Sequence, residues 1–171
     1  MDNLIKVDYQ ATGNSLKADN FGMREMQQKA FEARKAQYIL LKAPPASGKS
    51  RALMFIALDK LISQGLKKVI VAVPERSIAS SFSNTDLKKF GFHSDWEVDA
   101  RYNLCTPGGE PRKVDPFIEF MGSKSKVLIC THATLRFAYS RLNKEDFSQC
   151  LVAIDEFHHV SAEYENKLGN L

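Results

Sequence analysis

Residues 38–65 read YILLKAPPASGKSRALMFIALDKLISQG. The opening apolar run, YILLKAP over 38–44, is stopped by Pro44 and Pro45 and reads as a buried strand. From Ser50 onward the apolar residues recur at helical spacing, and Gly65 stands where a helix C-terminal glycine belongs. Between strand and helix lies APPASGKS, residues 43–50, in the strand–loop–helix setting that a phosphate-binding loop requires. Gly48 lets the backbone come close to a phosphate, and successive N–H groups at the helix N-terminus attract the anion. Lys49 can reach the β and γ phosphates, and the Ser50 hydroxyl can ligate Mg²⁺. Ala43 occupies the position where the commonest pattern has glycine, a mild departure. With Ser47, these residues form the candidate site for ATP and Mg²⁺: Ala43, Ser47, Gly48, Lys49 and Ser50.

Other unbroken apolar runs stand at 67–74 (KKVIVAVP), 126–132 (KVLICTH) and 150–158 (CLVAIDEFH). The stretch 96–104 alternates enough to be read as a further strand. Helical patterns occupy 23–35 and the FIEFMG segment, 77–91 could hold a helix running into a loop, and 107–116 is loop-rich. Continuous apolar strands separated by helix-length segments indicate a parallel sheet covered on both faces, hence an α/β domain. Residues 1–20 are polar and weakly patterned and read as an N-terminal arm, which leaves 21–171 as the domain.

The second chemical motif is LVAIDEFHH, residues 151–159. Acids can end a buried strand merely because it meets solvent there. Together with a phosphate loop they take on a sharper meaning, because ligands of open parallel sheets sit at the carboxyl ends of strands. Asp155 would hold Mg²⁺, directly or through water. Glu156 would orient or deprotonate an attacking water. His158 and His159 point to opposite sides of an extended chain, so both cannot easily join one ligand set. One histidine, His158, is the candidate near the nucleotide.

A phosphate loop followed about a hundred residues later by D-E-x-H, both on buried strands, resembles the first motor domain of superfamily 2 helicases. The RecA-like, three-layer α/β/α P-loop fold follows from that resemblance. DEFHH is similar to the DExH type, and DEFHHVSAEY looks most like the helicase subunits related to restriction-enzyme motors. MREMQQKA resembles the family's R-x-x-Q element, which makes Gln27 the expected adenine contact. VPERS (73–77) and CTHATL (130–135) follow strands where the family places nucleic-acid contacts. Arg76, Ser77, Thr131 and His132 are thus expected to meet a DNA or RNA backbone. Gly108 and Gly109 match the glycine pair found between those two motifs, whereas Thr106 in TPGG precedes its strand and does not fit. The family's third motif and its second RecA-like domain, with its catalytic arginine, do not occur in this sequence. The resemblance therefore implies a motor half that needs a partner domain and has little turnover alone.

Bulk properties set weaker bounds. A net charge of +4 and a pI near 8.9 are compatible with a polyanionic partner but do not require one. Cys105, Cys130 and Cys150 lack zinc-ligand spacing and fit a reducing compartment, each as a small core hydrophobe. No stretch approaches the length needed to span a bilayer, so the expectation is a cytoplasmic protein without membrane association. Two other readings fit the phosphate loop: a self-contained P-loop ATPase or nucleotide kinase, and a non-catalytic nucleic-acid-binding module. No lid rich in arginine supports the first, and intact Lys49, Ser50, Asp155 and Glu156 weigh against the second.

Overall fold

The computed structural model describes residues 4–10, 19–106 and 113–157. They fall into two compact units. The first takes residues up to Gly65 together with Asn84–Trp96, and the second takes Leu66–Ser83 and the chain from Glu97 onward.

The first unit contains β1 (Leu4–Asp8), α1 (Glu25–Glu32), β2 (Tyr38–Lys42) and α2 (Lys49–Ile62). β1 runs parallel to β2, from Leu4 opposite Tyr38 to Asp8 opposite Lys42. The stretch read as an irregular lead-in therefore holds a strand. Five residues are too few to show a period, and what orders them is the backbone ladder that β2 offers. β2 is also less buried than its apolar run suggested. Ile39 and Leu41 pack with Met26 and Ala30 of α1 and Ala52 and Ile56 of α2, while Tyr38 and Leu40 on the alternate face are 55% and 39% exposed. Side chains alternate across a strand, so an apolar sequence fills a second face only where something covers it. Phe92 completes this unit's core, edge-on to Phe31 of α1 and Phe55 of α2, with ring centroids 6.1 and 4.7 Å away.

The second unit contains β3 (Lys68–Val73), α3 (Val114–Gly122), β4 (Val127–Thr131), α4 (His132–Tyr139) and β5 (Cys150–Ile154). Its sheet has the order β4-β3-β5, and both pairings are parallel. β3 is central and buried at every residue, as its unbroken apolar sequence demands. Ile70, Ala72, Leu128 and Cys130 of the sheet pack against Phe117 and Phe120 of α3 and Leu135 and Ala138 of α4. Pro116 falls in the first turn of α3, where its missing N–H costs nothing. Lys68 begins β3 with its stem in the core, and its amine donates to the carbonyls of Phe120, Ser123 and Ser125 at 3.0, 2.7 and 2.7 Å. These close the C-terminal end of α3, whose last carbonyls have no helical partner.

The strand expected over 96–104 does not form. Trp96 makes an isolated antiparallel bridge with Thr85, and Asn103 a parallel one with Ile129. Between them Asp99 accepts the N–H of Arg101 and turns the chain into a 3-10 helix, Ala100–Tyr102. The apolar residues of this stretch enter the core from a turn instead of a ladder. Likewise, the helix considered over 77–91 is two 3-10 segments, Arg76–Phe82 and Lys88–Phe90. Cys105 and Cys130 are buried and Cys150 half-buried. Burial pushes all three thiols above their ordinary range, Cys130 furthest. Among the described residues no cluster of metal-ligating side chains occurs, and no helix is long and apolar enough to cross a membrane.

Candidate functional site

In the first unit, β2 delivers the chain into residues 43–48 and α2 takes it away. Ala46 and Gly48 both have left-handed backbone, φ 59° and 90°. Gly48 is the residue just before the first turn of α2. A Cβ there would lie 2.5 Å from Gln27 Nε2 and would carry the strain of a positive φ as well. The loop thus needs glycine at this point for two independent reasons. Lys49, at the start of α2, folds its amine back onto the loop and donates to the carbonyls of Ala43 and Pro44 at 3.0 and 3.3 Å. The Ser47 hydroxyl is buried and has no hydrogen-bond partner among the described residues. An orphaned hydroxyl, the N-terminus of a helix and a lysine amine within one loop together fit a polyphosphate. Ser50 follows in the first turn and is half-buried.

Gln27 is 2% exposed. Its Oε1 accepts from the Arg24 N–H at 2.8 Å, and its Nε2 donates to the Gly48 carbonyl at 3.2 Å. The side chain is a strut from the start of α1 to the phosphate loop. Of the residues singled out in the sequence, the structure brings Gln27, Ala43, Gly48 and Lys49 into one bonded group.

In the second unit the three parallel strands end on one side of the sheet. Arg76 and Ser77 follow β3, Thr131 and His132 stand at the end of β4, and Asp155 and Glu156 follow β5. Asp155 extends the ladder by one bond, donating its N–H to the Ala72 carbonyl at 2.9 Å. The next residue turns sharply: Glu156 has φ 51°, and its N–H donates to Asp155 Oδ1 at 3.1 Å. His132 Nε2 lies 3.0 Å from the Asp155 carbonyl. A carbonyl oxygen can only accept, so Nε2 carries the proton in this contact. His132, picked out for nucleic-acid contact, is therefore tied to the backbone of the acid turn. Parallel pairing puts the ends of β4 and β5 on the same side of the sheet, flanking β3, and the His132 side chain makes the link, of which sequence spacing alone bears no sign.

Thr131 caps α4, its hydroxyl accepting from the Thr134 N–H at 3.2 Å, which leaves that hydroxyl less free than the sequence suggested. Arg76 and Ser77 are exposed at the start of a 3-10 helix. His158, His159, Gly108 and Gly109 lie outside the described residues.

A loop of this geometry between a parallel strand and a helix, in a chain with acids at the end of another parallel strand, defines a P-loop nucleotide-binding protein of the α/β class. The sequence profile of the DEAD/DEAH box helicase family matches residues 24–171, and the chain belongs to that family. Its fold class is accordingly the RecA-like, three-layer α/β/α P-loop domain, and it is a helicase ATP-binding motor domain. The chain is 63% identical over all of its 171 residues to YeeB of Bacillus subtilis (strain 168), which is named as a candidate ATP-dependent helicase. It spans 28% of that relative's length. No solved structure gives a significant match.

Proposed function

We propose that the chain is the first RecA-like motor domain of a superfamily 2 helicase or translocase of the DExH type, similar to restriction-enzyme helicase subunits. Joined to a second RecA-like domain, it would couple ATP hydrolysis to movement on a DNA or RNA backbone in the cytoplasm. The domain is proposed to span residues 21–171, to which β1 of the preceding arm adds a strand. The observation that carries this reading is the amine of Lys49, held by the loop's own carbonyls at the N-terminus of α2. A cation stored there can exchange two neutral acceptors for phosphate oxygens, a stronger charge-assisted pairing.

Ala43, Ser47, Gly48, Lys49 and Ser50 would hold the triphosphate, with Gln27 bracing the loop and offering its remaining amide capacity to adenine. Mg²⁺, when bound, supplies positive charge that eases attack on the γ phosphate. Ser50 and Asp155 would be the residues to hold it. Glu156 would accept the proton of the attacking water, and His158 would stand beside it. Arg76, Ser77, Thr131 and His132 would meet the nucleic-acid backbone, contacts that position without reading sequence.

The test is steady-state ATP turnover with Mg²⁺, with and without single-stranded DNA, with Lys49→Ala as control. Negligible turnover of the chain alone, rising when the second domain is added, is the expected result. Brisk turnover of the chain alone, abolished by the substitution, would mean a self-contained ATPase. Nucleic-acid affinity indifferent to ATP in the joined protein would point to a passive binding module.

A further inference from the structure

Phe90 is 41% exposed, yet the backbone around it is tightly fixed. Gly22 and Gly91 have φ of 75° and 95°. A Cβ on Gly22 would fall 2.4 Å from the Phe90 Cβ, and one on Gly91 would fall 2.2 Å from the Asn20 carbonyl oxygen. Two glycines thus let residues 20–22 and 90–91 close on each other and hold an aromatic ring at the surface.

The position of that ring follows from its neighbours. Phe92 packs on Phe31 of α1 and Phe55 of α2. Two residues earlier, Phe90 meets Arg51, which precedes Phe55 by one helical turn, with the guanidinium carbon 5.4 Å from the ring centroid. It also meets Gly22, just ahead of α1. From Phe92 to Phe90 the chain therefore runs toward the N-terminal ends of both helices. Those are the ends that carry Gln27 on α1 and Lys49 and Ser50 on α2. The Lys89 amine lies 4.9 Å from the same ring, adding a second positive charge.

Gln27, by contrast, is buried with both ends of its amide already bonded to backbone. A base attached to phosphates on α2 needs a surface that is open to it. We propose that Phe90, flanked by the Arg51 guanidinium, is the shelf on which the purine base of the bound nucleotide stacks. The proposal rests on reading residues 43–50 as the phosphate site. Aromatic and guanidinium planes both attract base faces, and the two cations complement the phosphates of the same ligand. Stacking adds affinity without choosing the base, because every base has a π face.

The experiment is titration calorimetry on the full chain with Mg²⁺·ATP, Mg²⁺·GTP and Mg²⁺·tripolyphosphate. Phe90→Ala is expected to weaken ATP and GTP by about 5- to 150-fold, the range of one stacked base, and to leave tripolyphosphate unchanged. Phe90→Leu keeps bulk without a π face and should do the same, which secures the test if the alanine variant unfolds. Phe90→Trp should retain nucleotide affinity. ATP binding unaltered in Phe90→Leu overturns the shelf, and so does an equal loss of tripolyphosphate, which would mean that only packing was disturbed. Lys49→Ala weakening all three ligands supports the phosphate site beneath the proposal. If that variant binds all three as before, the reading of the loop itself is wrong, a failure distinct from that of Phe90.

Discussion

Glu156 combines two demands that pull against each other. The proposed mechanism wants its carboxylate at the end of β5, but its backbone takes φ 51°, a region that costs an L-residue roughly 1–2 kcal/mol. Glycine would relieve that strain and keep the N–H that bonds Asp155 Oδ1. Glu156→Gly is therefore expected to be about 1 kcal/mol more stable in urea unfolding while losing ATP turnover in the joined motor. A variant both less stable and fully active would remove this residue from the chemistry. His132 allows a second test. Its Nε2–H supports the Asp155 carbonyl, so His132→Phe should cost about 1 kcal/mol and His132→Asn, which keeps a donor, less. Equal losses in the two variants would show that ring packing matters and the hydrogen bond does not. At this scale the strand–loop–helix setting of residues 38–62 was legible because it is local to a short string. The His132 tie was not, since it joins positions 23 apart that only parallel pairing puts on the same side of the sheet.

Among the elements, those with unbroken apolar sequences were legible and those shaped by turns were not. β3, β4 and β5 fall where continuous valine, isoleucine and leucine put them; β3 and β4 are buried along nearly their whole length, whereas β5 is only half-buried at four of its five residues. Tyr102 and Leu104 are as buried as strand residues, but the Asp99 turn delivers them, and an alternation count cannot distinguish the two. β1 left almost no mark, since its order comes from β2. Hydrogen exchange should reproduce this ranking, slowest in β3, which is paired on both edges, and fastest in β1 among the strands. Protection of β1 equal to that of β3 would contradict it. Lys68 gives the complementary case of a charge recruited by an element. Lys68→Met preserves the buried stem but takes the amine from three carbonyls, of which that of Phe120 keeps the Ser123 N–H and hydroxyl, and is expected to cost about 2 kcal/mol in denaturant unfolding. A loss under about half a kcal/mol would mean that water replaces the amine at the end of α3.

At the scale of the whole chain, the two units are compact but not contiguous. The chain passes between them at Gly65–Leu66, Ser83–Asn84 and Trp96–Glu97, three times in all. β3, the central strand of the second unit, thus lies on a segment, Leu66–Ser83, that is flanked in sequence on both sides by the first unit. Neither unit can be separated by a single cut, and each closes loops that the other must hold, so their stabilities are linked through chain entropy. The single tryptophan makes the link measurable. Trp96 is wholly buried in the first unit and bonded to Thr85 through both backbone groups. Its fluorescence follows the first unit alone, whereas far-ultraviolet circular dichroism follows both. We expect the two probes to give one coincident urea transition. Mg²⁺·ATP at a hundredfold excess over its dissociation constant should then raise the stability by about 2.7 kcal/mol, seen equally by both probes. In Lys49→Ala the nucleotide-dependent rise should vanish from both together. If ATP moved the tryptophan transition and left the circular dichroism of the second unit where it was, the units would be thermodynamically independent. Any coupling of nucleotide to the acid turn would then have to come from the second domain proposed above.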